Sequence, residues 1–439
     1  MQTAPNSEIS FRTTLWESTS APGPKLGILE GECKTDVAVI GAGVAGLSTA
    51  LHLAEAGCSV AVIEAGEPGC GATGKSGGLL APDFVRHNPG EVEHILGSEW
   101  GERLVRMVGS STGQCFELIE KHRISCDARQ EGFWSPAHNN VVAGRLRIRA
   151  KEWKDRGYDV AYIPSDETRR DLGSTRYCGA IYFAEGGTIN PLAFSRGLAE
   201  AVIREGAAIY ANSPVRRLAK HGDGWRIITE NGHMDAKRVV LAANGGNAAL
   251  HPAMGQTILP LNVFEYATSP LSAAARVLVL PKGGSFTDKQ PYIFTARYDC
   301  DGRLIAAMPD FFIPRSKKRL IREASQRLLR HFPVLEHVSI DYMWQGTAWL
   351  NASLLPRVYD LNDGAFAIQA CNGRGLANNV ALGKEMAAAL IQRDITLFSV
   401  KVGQPERIKG YLLAQYLPSF LMALAYLRQR SLVFGESKS

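Results

Sequence analysis

The chain has 439 residues, 45% hydrophobic and 21% charged, with a formal net charge of +6. That length supports two cores rather than one, and the balance is that of a globular protein, not a fibrous or disordered one. The positive charge is dispersed; its densest stretch, residues 315 to 322, holds five Lys or Arg and reads as a solvated helix face, so no nucleic-acid partner is expected.

Residues 1 to 34 show little periodicity and read as an irregular lead-in. The segment MQTAPNSEISFRTT has neither a basic nor an apolar leader region, which predicts a cytoplasmic protein. From Asp36, DVAVIGAGVAGLSTALHLAEAGCSVAVIEAG gives an apolar run, a glycine cluster, a helix-period stretch and a second apolar run ending in an acid, which is a βαβ unit. Next comes GCGATGKS, residues 69 to 76, with the spacing of a triphosphate-binding loop. Such a loop must open a helix. Here Gly77, Gly78 and Pro82 follow at once, and no strand ending in a magnesium-binding Asp is found. The octamer is therefore expected to lie over the ligand of the βαβ unit instead.

Residues 91 to 175 carry helical patterns without a catalytic signature. Residues 190 to 246 predict a helix, a strand and a hairpin turning at Asn231 and Gly232. Residues 254 to 342 are strand-like, broken by a basic helix at 316 to 331, and 343 to 395 return to glycine turns and a last helix. The stretch YLLAQYLPSFLMALAYL, 411 to 427, is too short to span a bilayer, which takes about 20 apolar residues. Docking on the protein's own surface is expected ahead of peripheral contact with a membrane interface. Eight cysteines, at 33, 58, 70, 115, 126, 178, 300 and 371, form no Cys-x-x-Cys pair, so neither a metal site nor a disulfide scaffold is predicted.

Gly41, Gly43 and Gly46 have Gly-x-Gly-x-x-Gly spacing between strand and helix. The first allows the turn, the second a close pyrophosphate, the third close helix–strand packing. Glu64, 23 positions after Gly41, ends the second strand where a carboxylate can bind ribose hydroxyls, which disfavours NADP. NAD and FAD both suit this unit. The turn in CNGRGLANNVALGK, 371 to 384, supplies a second helix N-terminus, which suits the electron-rich edge of a flavin and leaves a nicotinamide reading without a purpose for it.

With the fingerprint, GATGKSGG at 71 to 78, VVLAANGG at 239 to 246 and GRGLANNVALGK at 373 to 384, nearly the whole chain resembles the FAD-dependent oxidoreductases of the D-amino-acid oxidase and glycine oxidase superfamily. WQGTAWLNASLLPRV at 344 to 358 and the apolar tail are most similar to the gamma-glutamylputrescine oxidase-like amine oxidases. The resemblance implies an α/β fold: a Rossmann-type FAD-binding domain (35–90, 176–258 and 343–400), an inserted α+β substrate domain with a mixed antiparallel sheet (91–175 and 259–342), and a tail (401–439). It implies that Gly41, Ala42, Gly43, Ala45 and Gly46 hold the pyrophosphate and Glu64 with Ala65 the adenosine ribose. Thr73, Gly74, Lys75, Ser76, Gly77, Gly78 and Leu79 would line the pyrophosphate and flavin side. Val215 would meet adenine through its backbone, with Ala243, Asn244 and Gly245 nearby, and Gly373, Arg374, Gly375 and Leu376 would follow the pyrimidine edge. Lys75 stands near the position where some relatives attach FAD through His, and no Cys lies between 341 and 370, so non-covalent FAD is expected, with Cys371 the nearest exception.

The implied reaction is hydride transfer from an amine's Cα–H to flavin N5, hydrolysis of the imine, and reoxidation by O2. The substrate candidates are Tyr266, Arg297, Trp344, Asn351 and Arg374. Arg297 could clamp a carboxylate, but a salt-bridged strand arginine is an equal reading, and Tyr266 and Trp344 are of residue types more often found in cores. Arg374 replaces the His common in that turn, and Asn351 a small polar residue. Two alternatives stand beside the oxidase: a dehydrogenase passing electrons to a membrane quinone, motivated by the tail, and a nucleotide-binding protein without turnover.

Overall fold

In the computed structural model, the described residues are 10, 11, 13–311 and 313–436, with side chains described to 429. Five parallel strands form the centre of the first sheet, in the order Ala365–Gln369, Gly232–Leu241, Gly31–Ile40, Val60–Ile63, Ala208–Tyr210, with Arg357–Asp360 antiparallel at one edge. Their apolar runs, such as VAVI in the second strand, are buried on both faces, as a helix-covered parallel sheet requires. The helices Val44–Glu55 and Gly375–Gln392 pack on one another, flanked by Ser98–His122 and Pro191–Arg204. The predicted βαβ unit, amphipathic helix and hairpin are all present.

The second sheet is antiparallel but for one pair: Ile340–Leu350, Leu259–Pro270, Arg303–Pro309, Thr295–Tyr298, Ser285–Thr287, Phe133–Pro136, Gly179–Phe183, Val160–Pro164. One face of it packs an aromatic cluster that includes Phe286, Phe294 and Phe332, with Leu320, Ala324 and Leu328 of the basic helix Lys317–His331. The α/β class, with a mixed second sheet, is as expected. Gly179–Phe183 and all of Ile340–Leu350 pair into this second sheet, although the sequence division gives the former, and the latter from 343, to the dinucleotide-binding domain. The helix Ser98–His122, placed by that division in the substrate domain, packs its apolar face into the core around the first sheet.

Three other expectations need correction. The lead-in contains the helix Leu15–Thr19, closed by a capping box in which Thr14 Oγ1 accepts from Glu17 N–H (3.0 Å) and Glu17 Oε2 from Thr14 N–H (2.7 Å). The single strand expected between the helix and the hairpin of residues 190 to 246 splits into Ala208–Tyr210 and Arg217–His221: Asn212 takes a left-handed φ of 49°, and Pro214, two residues on, has no N–H to give a ladder. The closing helix begins at Gly375, five residues before VALGKEMAAALIQR, the apolar run that marks it in the sequence.

Leu15 and Trp16 are fully buried against Leu192, Ala267, Ile305 and Trp344, so the lead-in cements the two sheets. Trp16→Ala is expected to cost about 3–5 kcal/mol of stability, read by chemical denaturation of the FAD-bound protein. A change below about 1 kcal/mol would mean the helix is an ornament.

Candidate functional site

The five parallel strands deliver the turns at their C-terminal ends to the same edge of the first sheet, where α/β folds bind ligands. Gly41, with φ 112°, leaves the first strand so close to its neighbour that an added Cβ would lie 2.8 Å from the Ala242 carbonyl. Gly43 caps the next helix, and a Cβ on Gly46 would lie 1.9 Å from Gly41 O. Ala42 and Ala45 are buried beside them. Glu64 closes the second strand: its Oε2 accepts from Ala42 N–H (2.6 Å) and its Oε1 from Gly66 N–H (3.0 Å), which fixes the carboxylate, with Ala65, against the glycine turn. Ser213 N–H donates to Glu64 O (2.8 Å), placing Val215 just beyond the same edge.

The octamer folds onto this turn. Gly69 N–H donates to Ala42 O (3.0 Å), Gly74 N–H to Gly69 O (2.9 Å), and Val44 N–H to Thr73 Oγ1 (3.3 Å). Ser76 Oγ bonds back to Thr73 O, and no helix follows; the chain passes through Gly77 and Gly78 into the short strand Leu79–Leu80. A triphosphate loop is thereby excluded for these residues.

Two indoles hold the far side of the loop: Trp16 Nε1 donates to Ser76 O (2.8 Å) and Trp344 Nε1 to Lys75 O (3.0 Å), their rings edge to face at 6.0 Å. Trp344 is thus a buried positioning residue. Tyr266 does not join it. Side chains alternate along a strand, and Tyr266 faces the aromatic cluster, while Glu265, one residue earlier, faces Gly77. Arg297 is fully buried, donating from Nη1 to Gly78 O (2.9 Å) and Ile189 O (2.7 Å), with its guanidinium over Trp16. Among the described residues it forms no salt bridge and its Nη2 has no hydrogen-bond partner; burial lowers its pKa to about 10. Glu265 Oε2 is also buried without a partner, and burial pushes the carboxyl up to about 8, opposed by Arg297 and the Gly77 N–H.

The third wall is the closing turn. Asn372 Oδ1 accepts from Asn351 N–H (3.0 Å), and Asn351 Nδ2 donates to Leu355 O (2.8 Å), so Asn351 braces the turn. Asn372 Nδ2 is a buried donor without an acceptor. Gly373 has φ 78°, Arg374 caps the helix beginning at Gly375, and Leu376 is buried behind it. Ala243 N–H donates to Asn247 Oδ1 (2.9 Å); Asn244 has φ 52°, and a Cβ on Gly245 would meet the Trp349 ring at 2.2 Å. Arg374 Nη1 reaches Asp83 Oδ2 (3.3 Å) and Phe84 O (3.2 Å), over the Phe133 ring.

These features fit a dinucleotide bearing a flavin: a fingerprint turn whose Gly41 and Gly46 have no room for a Cβ, a fixed carboxylate 23 positions after Gly41, and, among the described residues, unpartnered buried atoms of Glu265, Arg297 and Asn372 around the second loop and closing turn. Glu265, Trp16 and Asp83 escape sequence reasoning; only the Thr-x-x-Glu capping pattern at 14 to 17 signals any of them. Among the described residues no cluster of His, Cys, Asp or Glu could hold a metal, and all eight cysteines are free.

Residues 36–389 match the family of FAD dependent oxidoreductases, DAO. The chain is 30% identical over 379 residues to the gamma-glutamylputrescine oxidoreductase of Escherichia coli (strain K12), covering 84% of this chain and 86% of the relative. Among solved structures it is similar to the glycine oxidase of Geobacillus kaustophilus (TM-score 0.69, 21% identity, 83% of this chain and 96% of that one). It is also similar to the L-proline dehydrogenase of P. horikoshii (TM-score 0.71, 18% identity, 84% and 96%).

Proposed function

The chain belongs to the DAO family of FAD-dependent oxidoreductases acting on amines or amino acids, and within it we propose an oxidase of a primary or secondary amine or amino acid, gamma-glutamylated amines included. FAD, held without a covalent link, would supply the acceptor for the hydride from the substrate Cα–H, leaving an imine to hydrolyse, and would be reoxidised by O2 to give H2O2. The observation that carries this reading is the convergence of the glycine fingerprint, the second loop and the closing turn on one sheet edge, opposite a face bearing Glu265 and Arg297. Gly41, Gly43 and Gly46 would receive the pyrophosphate, Glu64 the ribose, and the helix N-terminus at Gly375 the flavin's electron-rich edge. Arg297 holds Gly78 and Ile189, and with them the loop beside the flavin, while Trp16 and Trp344 exclude water behind it.

Adding a panel of amines and amino acids, gamma-glutamylated polyamines among them, to the anaerobic protein is expected to bleach the flavin absorption with at least one member. A yellow protein bleached by none would remove the catalytic reading and leave a nucleotide-binding one.

A second reading, a dehydrogenase that delivers electrons to a quinone, is favoured by the tail. The helix Leu417–Glu436 docks through Ala423, Ala425 and Tyr426, the last against Tyr292 and Phe311. Yet Leu412 and Leu413 are 77% and 82% exposed, and Leu413, Tyr416, Leu417 and Phe420 line an open apolar groove of about 590 Å³. No helix among the described residues is long and apolar enough to cross a membrane, so the contact in this reading is peripheral, at the inner face. Oxygen uptake without an added acceptor decides between the two readings.

A further inference from the structure

From 417 to 427 the helix Leu417–Glu436 has two opposite apolar faces, and one of them is open to solvent. Ala423 and Ala425 join the aromatic cluster behind the second sheet, with Met422 and Tyr426 packed against it. Leu417, Phe420, Leu421, Leu424 and Leu427 recur at helical spacing on the other side, and their exposure runs from 37% at Leu424 to 56% at Leu427. Leu412, Leu413 and Tyr416 extend the open surface just before the helix. That segment is tied to the body of the protein: Ile408 N–H donates to Gln256 O (2.8 Å) and Tyr411 OH to Ile258 O (3.1 Å). Single exposed leucines are ordinary on a protein surface, but a contiguous apolar patch of this kind marks an interaction site.

The charge around the patch indicates what covers it. Residues 407 to 435 include Arg407, Lys409, Arg428 and Arg430 and no Asp or Glu. Where the tail meets the basic helix Lys317–His331, Arg319 and Arg322 line a cleft of about 250 Å³ with Glu323, Gln326 and Tyr426. The basic helix carries six Lys or Arg and one acid, Glu323, whose carboxylate accepts from Arg315 Nη1 (3.0 Å) and Tyr292 OH (3.1 Å). Lys317, Lys318 and Arg322 are exposed. A second copy meeting this face would bring like charges together. A bilayer with anionic headgroups instead offers opposite charge to the cations and an apolar interior to the leucines.

We propose that the open face of residues 412 to 427, with the cations of Lys317–His331 beside it, docks on an anionic lipid bilayer. The tail thus uses one apolar face to pack on its own protein and the other to lie in the lipid interface. Such docking goes beyond the amine reading and is compatible with either electron acceptor. Its failure would remove the ground for the quinone reading and leave the oxidase reading untouched.

The test sediments the FAD-bound full chain with vesicles of phosphatidylcholine alone or with about 30% phosphatidylglycerol. Binding to the anionic vesicles is expected to be at least about 10-fold tighter than to the neutral ones and to weaken with added salt. Replacing Leu413→Ser and Phe420→Ser together should weaken it at least about 10-fold. Arg319→Gln with Arg322→Gln should narrow the gap between the two lipids. Both side chains of the first pair are exposed, so that variant should keep its flavin absorption and melting temperature. No binding to the anionic vesicles, or equal binding to both lipids, overturns the proposal, and the unaltered protein decides this even where a variant fails to fold. Anionic binding that the Leu413 and Phe420 pair leaves unchanged overturns it in favour of adhesion by charge alone. A dimer in sedimentation velocity that ignores vesicles and dissociates in that variant assigns the face to a second copy instead.

Discussion

Gly46→Ala is expected to give a colourless protein. The new Cβ would lie 1.9 Å from Gly41 O and 3.1 Å from Val39 Cγ1. A carbon and a carbonyl oxygen need more than 3 Å, so the helix Val44–Glu55 must move off the first strand by over an ångström. Neither neighbour is a flexible side-chain end: Gly41 is itself pinned by Ala242, and its N–H donates to Ile63 O (2.9 Å). Overpacking alone costs about 1–3 kcal/mol. The larger consequence is that the shift displaces Ala42 and Val44, whose N–H groups bind Glu64 and Thr73, and with them the turn that would receive the pyrophosphate. FAD affinity should fall at least 100-fold, measured by fluorescence titration of apoprotein, with a lowered melting temperature. Gly144→Ala, in the exposed middle of a helix where a Cβ meets nothing within 4 Å, should keep its FAD and gain about 1 kcal/mol. Full FAD retention in Gly46→Ala would mean the turn tolerates a different helix position.

The contrast between those glycines also marks what the sequence reveals. The βαβ unit is legible because strand, turn, helix and acid lie within residues 36 to 66, and local periodicity fixes each. GCGATGKS could be weighed correctly because a triphosphate loop demands a helix next, and two glycines and a proline forbid one. Tyr266 is different. Alternation along the strand Leu259–Pro270 allows two opposite faces, and only the packing of Trp344 and Ala267 on Trp16 shows that Glu265, not Tyr266, turns toward the loop. The Trp16 contact joins residues 60 positions apart. The Asp83 carboxylate gathers donors from Arg149, Trp153 and Arg374, and no spacing rule reaches across such separations.

That face carries the second large effect, a pH dependence. Glu265 is an acid held protonated: burial raises its pKa from 4.5 to about 8, and neither Arg297 nor the Gly77 N–H offsets this. A raised folded-state pKa means the folded protein binds the proton more tightly than the unfolded chain. Its contribution to stability is complete below about 4.5 and is lost as pH rises through about 8, with a slope of at most about 1.4 kcal/mol per pH unit. Arg297, lowered only to about 10, keeps its charge throughout that window. Glu265→Gln keeps the shape and removes the proton. Wild-type and variant holoproteins melted from pH 5.5 to 9 should therefore diverge, the wild type losing stability relative to Glu265→Gln at each step. Other groups titrate in both proteins and cancel in the difference, so parallel curves would show that the carboxyl ionises normally. Divergence would establish a neutral carboxyl against Gly77, able to donate a hydrogen bond at neutral pH and unable to do so once ionised.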